Sequence, residues 1–225
     1  MGHPFLWWIG MHLLPAKTLQ ADGHPKFAGA KLLLEELQGG QMGLEYENLD
    51  AETRRFMLEE IDMDVHAGTV YISRFLNPQG CERWPVILRQ AAEEGNDESL
   101  ANAIVSDQCL HQSYEKKKPK GGTTMSAVLY TAPQTMGEGE FNRYYARGLC
   151  RRAISEGIAA LEVYRAKPVM EPRAESQQKI GQLVDPEAIL TDLRNTQGVE
   201  PALGLPPGPN SGLTLRIQRN NGIRL

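Results

Sequence analysis

The sequence predicts an α+β fold, several amphipathic helices packed on a small sheet with extended N- and C-terminal arms, and three observations carry that prediction. First, the stretch from Gly137 to Val169 reads as a helix, its stop and a buried strand. Phe141, Tyr145, Leu149 and Ala153 recur at four-residue spacing with Tyr144, Cys150 and Ile154 beside them, one apolar helical face. Gly157 stands where a left-handed cap residue belongs, and Ile158 to Ala166 follows as an apolar strand ended by Pro168. Second, the first half carries apolar residues at helical spacing between glycine and proline stops. Third, Thr69 to Phe75 and Gly212 to Gln218 alternate as half-buried strands do.

Taken in order, residues 1–20 form an apolar arm. The run MGHPFLWWIGMHLLPAK is interrupted by His12 and Pro15 and falls short of the ~20 residues of a membrane span. No Lys or Arg precedes its apolar part, as a secretory signal would require. Phe5, Trp7 and Trp8 are expected to dock on the body or on a neighbouring copy; a weak secretory signal with Leu19-Gln20-Ala21 as a poor cleavage site, and an upstream start codon adding residues of little consequence, are the other readings. Residues 21–198 form one α+β domain. Pro25 to Leu37 is its first amphipathic helix, stopped at Gly39-Gly40. Asp50 caps a second helix that ends at Gly68, and Asn77-Pro78 opens a helical stretch that Pro85 restarts and Gly95 stops. Asn96 or Asp97 caps the next. Residues 115–124, EKKKPKGGTT, have no apolar side chain and predict a flexible basic loop. Pro172 to Gly181 is a short helix or loop, and Asp185-Pro186-Glu187 starts a helix that Ile189, Leu190 and Leu193 bury. Residues 199–225 are a Pro/Gly-rich arm ending in a strand, in which Leu213, Leu215 and Ile217 share a face.

With 41% hydrophobic and 23% charged residues over 225 positions, the composition is that of a globular protein with one core. The net charge of -4 is uneven. Residues 1–136 hold 12 Lys+Arg against 18 Asp+Glu, and residues 137–225 hold 12 against 10. Cys81, Cys109 and Cys150 are odd in number and widely spaced, which argues against a disulfide framework or zinc knuckle and for a reducing compartment. Cys150 reads as a small packed residue.

No catalytic constellation converges. Asp62, Asp64 and His66 would offer a metal two carboxylates and an imidazole only from extended backbone, and the residues around them read as helix. Lys120 to Thr124 has glycines that suit phosphate, but its lysine precedes them, unlike a Walker loop. Cys109 and His111 remain a conceivable thiol and imidazole pair, and no cofactor is expected. The most directed polar feature is Arg143, Arg147 and Arg151 at four-residue spacing, with Arg152 adjacent. Glu138, Glu140 and Glu156 lie toward the helix ends, too few to neutralise them all. The face is therefore either solvated or set for a partner's carboxylates or phosphates.

The run EGEFNRYYARGLCRRAISEG, with VYRAKPV, PRAES and GLPPGPNSGL, resembles an uncharacterised family found in prophage and tailed-phage gene sets, over about the last 90 residues. The resemblance implies a particle or assembly component, cytoplasmic or in a virion, and brings no activity with it. With two ends suited to reaching onto neighbours, the expected function is a non-enzymatic assembly subunit that forms homo-oligomers or joins other assembly proteins. Its C-terminal strand would pair across chains. A nucleic-acid-binding regulator using Arg143, Arg147 and Arg151, and a small metal-dependent enzyme, are the alternatives.

Overall fold

A computed structural model describes residues 43–196 and 211–218. The expectations for Phe5, Trp7 and Trp8, for the helix from Pro25 to Leu37 and for the stretch from Val199 to Asn210 lie outside those residues. The fold is α+β, with helices dominating and two small antiparallel sheets among the described residues.

Helix α1 spans Ala51–Ala67 because Asp50 accepts a hydrogen bond from the Thr53 amide at 3.1 Å, satisfying an orphan donor of the first turn. Gly68, at φ 67°, ends it in a Schellman pair: Thr69 N–H to Asp64 O and Gly68 N–H to Val65 O. Helix α2, Pro78–Glu94, starts at Asn77, whose side chain accepts from Gly80 N. The expected restart at Pro85 does not occur, and the helix runs through it. Proline removes one intrahelical bond, and the burial of Trp84, Ile87 and Leu88 around it holds the helix together. Helix α3, Asp97–Ser106, opens with a reciprocal capping box between Asn96 and Ser99.

All of these pack on helix α4, Ala132–Ser155, which is about 36 Å long at 1.5 Å per residue. It starts five residues before the expected Gly137 and ends in a second Schellman pair around Gly157, at φ 70°. Phe141, Tyr145, Leu149, Cys150 and Ala153 are buried, as their spacing predicts. Strand β3, Leu161–Arg165, follows and lies between β4, Leu183–Val184, and β5, Leu213–Arg216, antiparallel to both. Between β3 and β4 sits the short helix α5, Ala174–Lys179. Helix α6, Pro186–Asn195, begins at the expected Asp185 cap and buries Ile189, Leu190 and Leu193.

Two strand expectations are corrected. Thr69 to Phe75 joins no ladder: Arg74 and Phe75 form a turn closed by Leu76 N–H to Ser73 O at 3.0 Å, and an isolated bridge pairs Leu76 with Leu110. Helices occupy the space beside it, and Tyr71 O instead accepts the Trp84 indole N–H at 3.0 Å. The C-terminal strand β5 lies in a sheet of its own chain. It pairs with β3 of its own chain, Val163 opposite Leu215, and buries Leu213 and Leu215 in the core. Ile217 is half-buried beside it, its amide donating to Asn48 Oδ1.

The crossing of α1 and α4 depends on a missing side chain. A Cβ at Gly148 would stand 2.8 Å from Met57 N and 3.0 Å from Thr53 O, which is backbone that cannot move alone. Alanine in an exposed helix position gains about 1 kcal/mol over glycine, so Gly139→Ala, with nothing within 4 Å, is expected to stabilise. Gly148→Ala is expected to lose about 1–3 kcal/mol through overpacking. Denaturant midpoints of the two variants check this, and a gain at both positions would refute the close crossing.

Candidate functional site

The arginine series of α4 faces inward. Its first member, Arg143, is 3% exposed, and its Nη2 donates to the carbonyls of Leu193 and Thr196 at the end of α6. Arg147, 1% exposed, spans two acids of α1: Nε to Glu60 at 2.9 Å, and Nη1 and Nη2 to the two oxygens of Asp64 at 2.6 and 3.1 Å. One turn on, Arg151 bonds Glu60 and Glu59, each at 2.9 Å. Arg152 pairs with Asp50 at 2.7 Å and Glu156 at 2.8 Å. The expectation of a face open to a partner is therefore corrected for Arg143 and Arg147. Their partners are in their own chain, on helices far away in sequence, which four-residue spacing could not show.

Glu60 is the hub. It lies in the buried stripe of α1 with Thr53, Phe56, Met57 and Ile61, and receives Arg147, Arg151 and Arg194. Burial alone would raise its carboxyl, but these three guanidinium groups hold it down at about 2. Asp64 is likewise held below its ordinary value, against burial, by Arg147 and the Tyr144 hydroxyl, which donates to it at 2.8 Å. The Arg147 guanidinium also sits 4.9 Å from the Tyr144 ring centre. Glu140 behaves oppositely: burial pushes its carboxyl up to about 7, and Arg143 and Arg147 offset this only in part.

The remaining candidates are dispersed. Asp62, Asp64 and His66 lie within helix α1, where Asp62 pairs with Arg89 and Asp64 with Arg147, while His66 Nδ1 lies 2.6 Å from Asp62 O. Among the described residues no three His, Cys, Asp or Glu side chains are grouped to hold a metal ion. Cys109 is wholly buried, its thiol pushed up by burial and by Asp107, whereas His111 is exposed. Cys150 is packed in the core. Among the described residues no helix is long and apolar enough to cross a membrane.

What the sequence reading missed is the surface feature at residues 113–127. The expected flexible basic loop is a β-hairpin: β1, Ser113–Lys117, pairs antiparallel with β2, Thr123–Ala127, through a turn in which Gly121 and Gly122 take φ values of 93° and 76°. Its root is held by Tyr114, packed edge-on to Phe75 at 4.9 Å, with the Arg74 guanidinium 4.8 Å from the Tyr114 ring. Beyond Tyr114 the hairpin is exposed on both faces, with Met125 at 65%, and the chain beyond it exposes Leu129 and Tyr130. Lys116, Lys117, Lys118 and Lys120 are exposed at its end. Two short runs around Gly-Gly were the available signal.

No family model, curated protein or solved structure matches this chain. Among the described residues, fold and site together are an α+β body locked by buried ion pairs and carrying an exposed basic hairpin.

Removing one partner of a buried charge network leaves the others uncompensated, at about 3–5 kcal/mol. Arg147→Met is expected to cost that much in chemical unfolding, whereas Arg152→Gln, whose partners are solvated, is expected to cost under about 1 kcal/mol. Equal losses would place the lock elsewhere.

The Glu140 carboxyl titrates near 4.5 when unfolded and about 7 when folded, so the native state holds a proton that the unfolded chain has released. Stability attributable to this group therefore falls as pH rises from 4.5 to 7. Glu140→Gln is expected to be more stable than the parent at pH 8, by up to about 3 kcal/mol, with little difference at pH 4. Melting curves at both pH values check the sign.

Proposed function

We propose that the protein is a non-enzymatic assembly subunit and that the β1–β2 hairpin is the arm by which it joins other copies. The observation that carries this reading is the hairpin itself, two five-residue strands exposed everywhere beyond the half-buried pair Tyr114 and Ser126. An isolated two-stranded hairpin is marginal in water, and its unpaired outer groups are a template for another chain. Leu129 and Tyr130 add exposed apolar surface next to it. The resemblance of residues from Glu138 onward to prophage-associated proteins points toward a particle component. Because β5 closes its own core, the arm proposed is internal to the chain and not C-terminal.

Nucleic acid is the second reading, favoured by the four lysines at the hairpin end. The α4 arginines do not contribute to it, being engaged by acids and carbonyls. One variant separates these readings: Glu115–Met125 replaced by an Asn-Gly turn, which closes a shorter hairpin between the facing residues Tyr114 and Ser126. Light scattering is expected to give the full chain a mass above its 25.0 kDa and the shortened chain a monomer mass, with melting temperature unchanged. If both are monomers, the assembly reading is wrong. If in addition the full chain binds a DNA duplex with steep salt dependence and the shortened chain does not, the lysines serve nucleic acid.

A further inference from the structure

The two outer edges of the hairpin are chemically unlike, and the difference selects one of them. Val128 N–H bonds Gln112 O at 3.0 Å and Lys118 N–H bonds Gly122 O at 2.9 Å. In an antiparallel ladder the bonded pairs alternate, so Tyr114 with Ser126 and Lys116 with Thr124 are the inward-bonding pairs. The N–H and C=O groups of Thr123, Met125 and Ala127 therefore point away from β1. Among the described residues no hydrogen bond to them is formed. Proteins blunt exposed edges with lysine and proline. Strand β1 carries Lys116 and Lys117, with Lys118 and Pro119 directly after it in the turn. The β2 edge, Thr-Thr-Met-Ser-Ala, has neither and carries no charge.

Building on the assembly reading, we infer that the β2 edge is a docking strand whose occupant is the same edge of a second copy, paired antiparallel about Met125. The outward-bonding residues 123, 125 and 127 are symmetric about position 125, so a two-fold axis there satisfies all six free groups. Thr123 then faces Ala127 of the second copy, Thr124 faces Ser126, and Met125 faces itself. No like charges oppose one another, and the hydroxyl pairs are favourable cross-strand neighbours. The order becomes β1-β2-β2-β1, which sets the two lysine-bearing strands three spacings apart, roughly 14 Å. That exceeds the ~8–10 Å screening length at physiological salt. Charge complementarity thus permits this pairing, whereas β1 against β1 would oppose its lysines.

The test is disulfide trapping of the full chain with Cys81→Ser as background, since Cys109 and Cys150 are buried. Residues facing each other in a bonded pair lie about 5.5 Å apart at Cα, within disulfide reach. Met125→Cys is expected to give a covalent dimer on mild oxidation. Thr123→Cys alone is expected to give none, and Thr123→Cys with Ala127→Cys is expected to restore it. Independently, Met125→Lys, which places like charges opposite each other on an exposed position, is expected to raise the dimer dissociation constant at least tenfold without changing the melting temperature of the monomer. If the chain oligomerises and shortening the hairpin abolishes this, but neither the trapping pattern nor the lysine effect is seen, the assembly reading stands and the β2 pairing is overturned. If the chain stays monomeric while the amides of Thr123, Met125 and Ala127 exchange slowly, its own residues cover the edge and the inference fails. A monomer whose hairpin amides exchange fast overturns the inference together with the assembly reading.

Discussion

One carboxylate, Glu60, ties the described body together. It is wholly buried in the stripe by which α1 meets α4, and Arg147, Arg151 and Arg194 converge on it from α4 and α6. An ion this deep is costly to desolvate and persists only when its partners are near and well placed. The geometry of three helices is thereby coupled: α1 cannot shift along α4 without separating Glu60 and Asp64 from Arg147, nor can α6 leave without exposing the Arg194 contact. Gly148 supplies the other half of this arrangement by letting the two backbones approach closely enough for the pairs to form.

The lock also accounts for the odd character of α4, a helix that is mostly buried yet carries four arginines and two acids in its central turns. Its apolar face, Phe141, Tyr145 and Leu149, meets Tyr46 and the β3–β5 sheet, with the Tyr145 hydroxyl donating to Leu215 O at 3.1 Å. Its polar face is compensated by α1 and α6. A helix buried on both sides needs partners on both, which is why the chain places β5 against β3 instead of extending it outward. The feature that the lock does not hold is the hairpin, rooted on Tyr114 and Phe75.

Much of the local structure was legible because it depends on neighbours in the chain. Asp50, Asn77, Asn96 and Asp185 cap the helices that their side chains and following residues announce, and Gly68 and Gly157 end helices in left-handed turns that other residues rarely adopt. The α+β class and the apolar face of α4 follow from the same short-range spacing. Pro85 shows the limit: a local rule that breaks helices was overridden by burial of Trp84, Ile87 and Leu88.

By itself, then, the sequence determined the helix caps at Asp50, Asn77, Asn96 and Asp185, the left-handed stops at Gly68 and Gly157, the apolar face of α4, and that the chain is one of mixed α and β structure. Only the tertiary structure decided that the arginine face points inward, that β5 belongs to its own sheet, that Thr69 to Phe75 finds no strand partner, and that the lysine-rich stretch is an ordered hairpin. The physical reason is distance along the chain. Arg147 and Glu60 are 87 residues apart, and Arg194 and Glu60 are 134 apart. A charge at helical spacing looks the same in one dimension whether its counter-ion is water, a partner or another helix of the same chain, and packing alone distinguishes them.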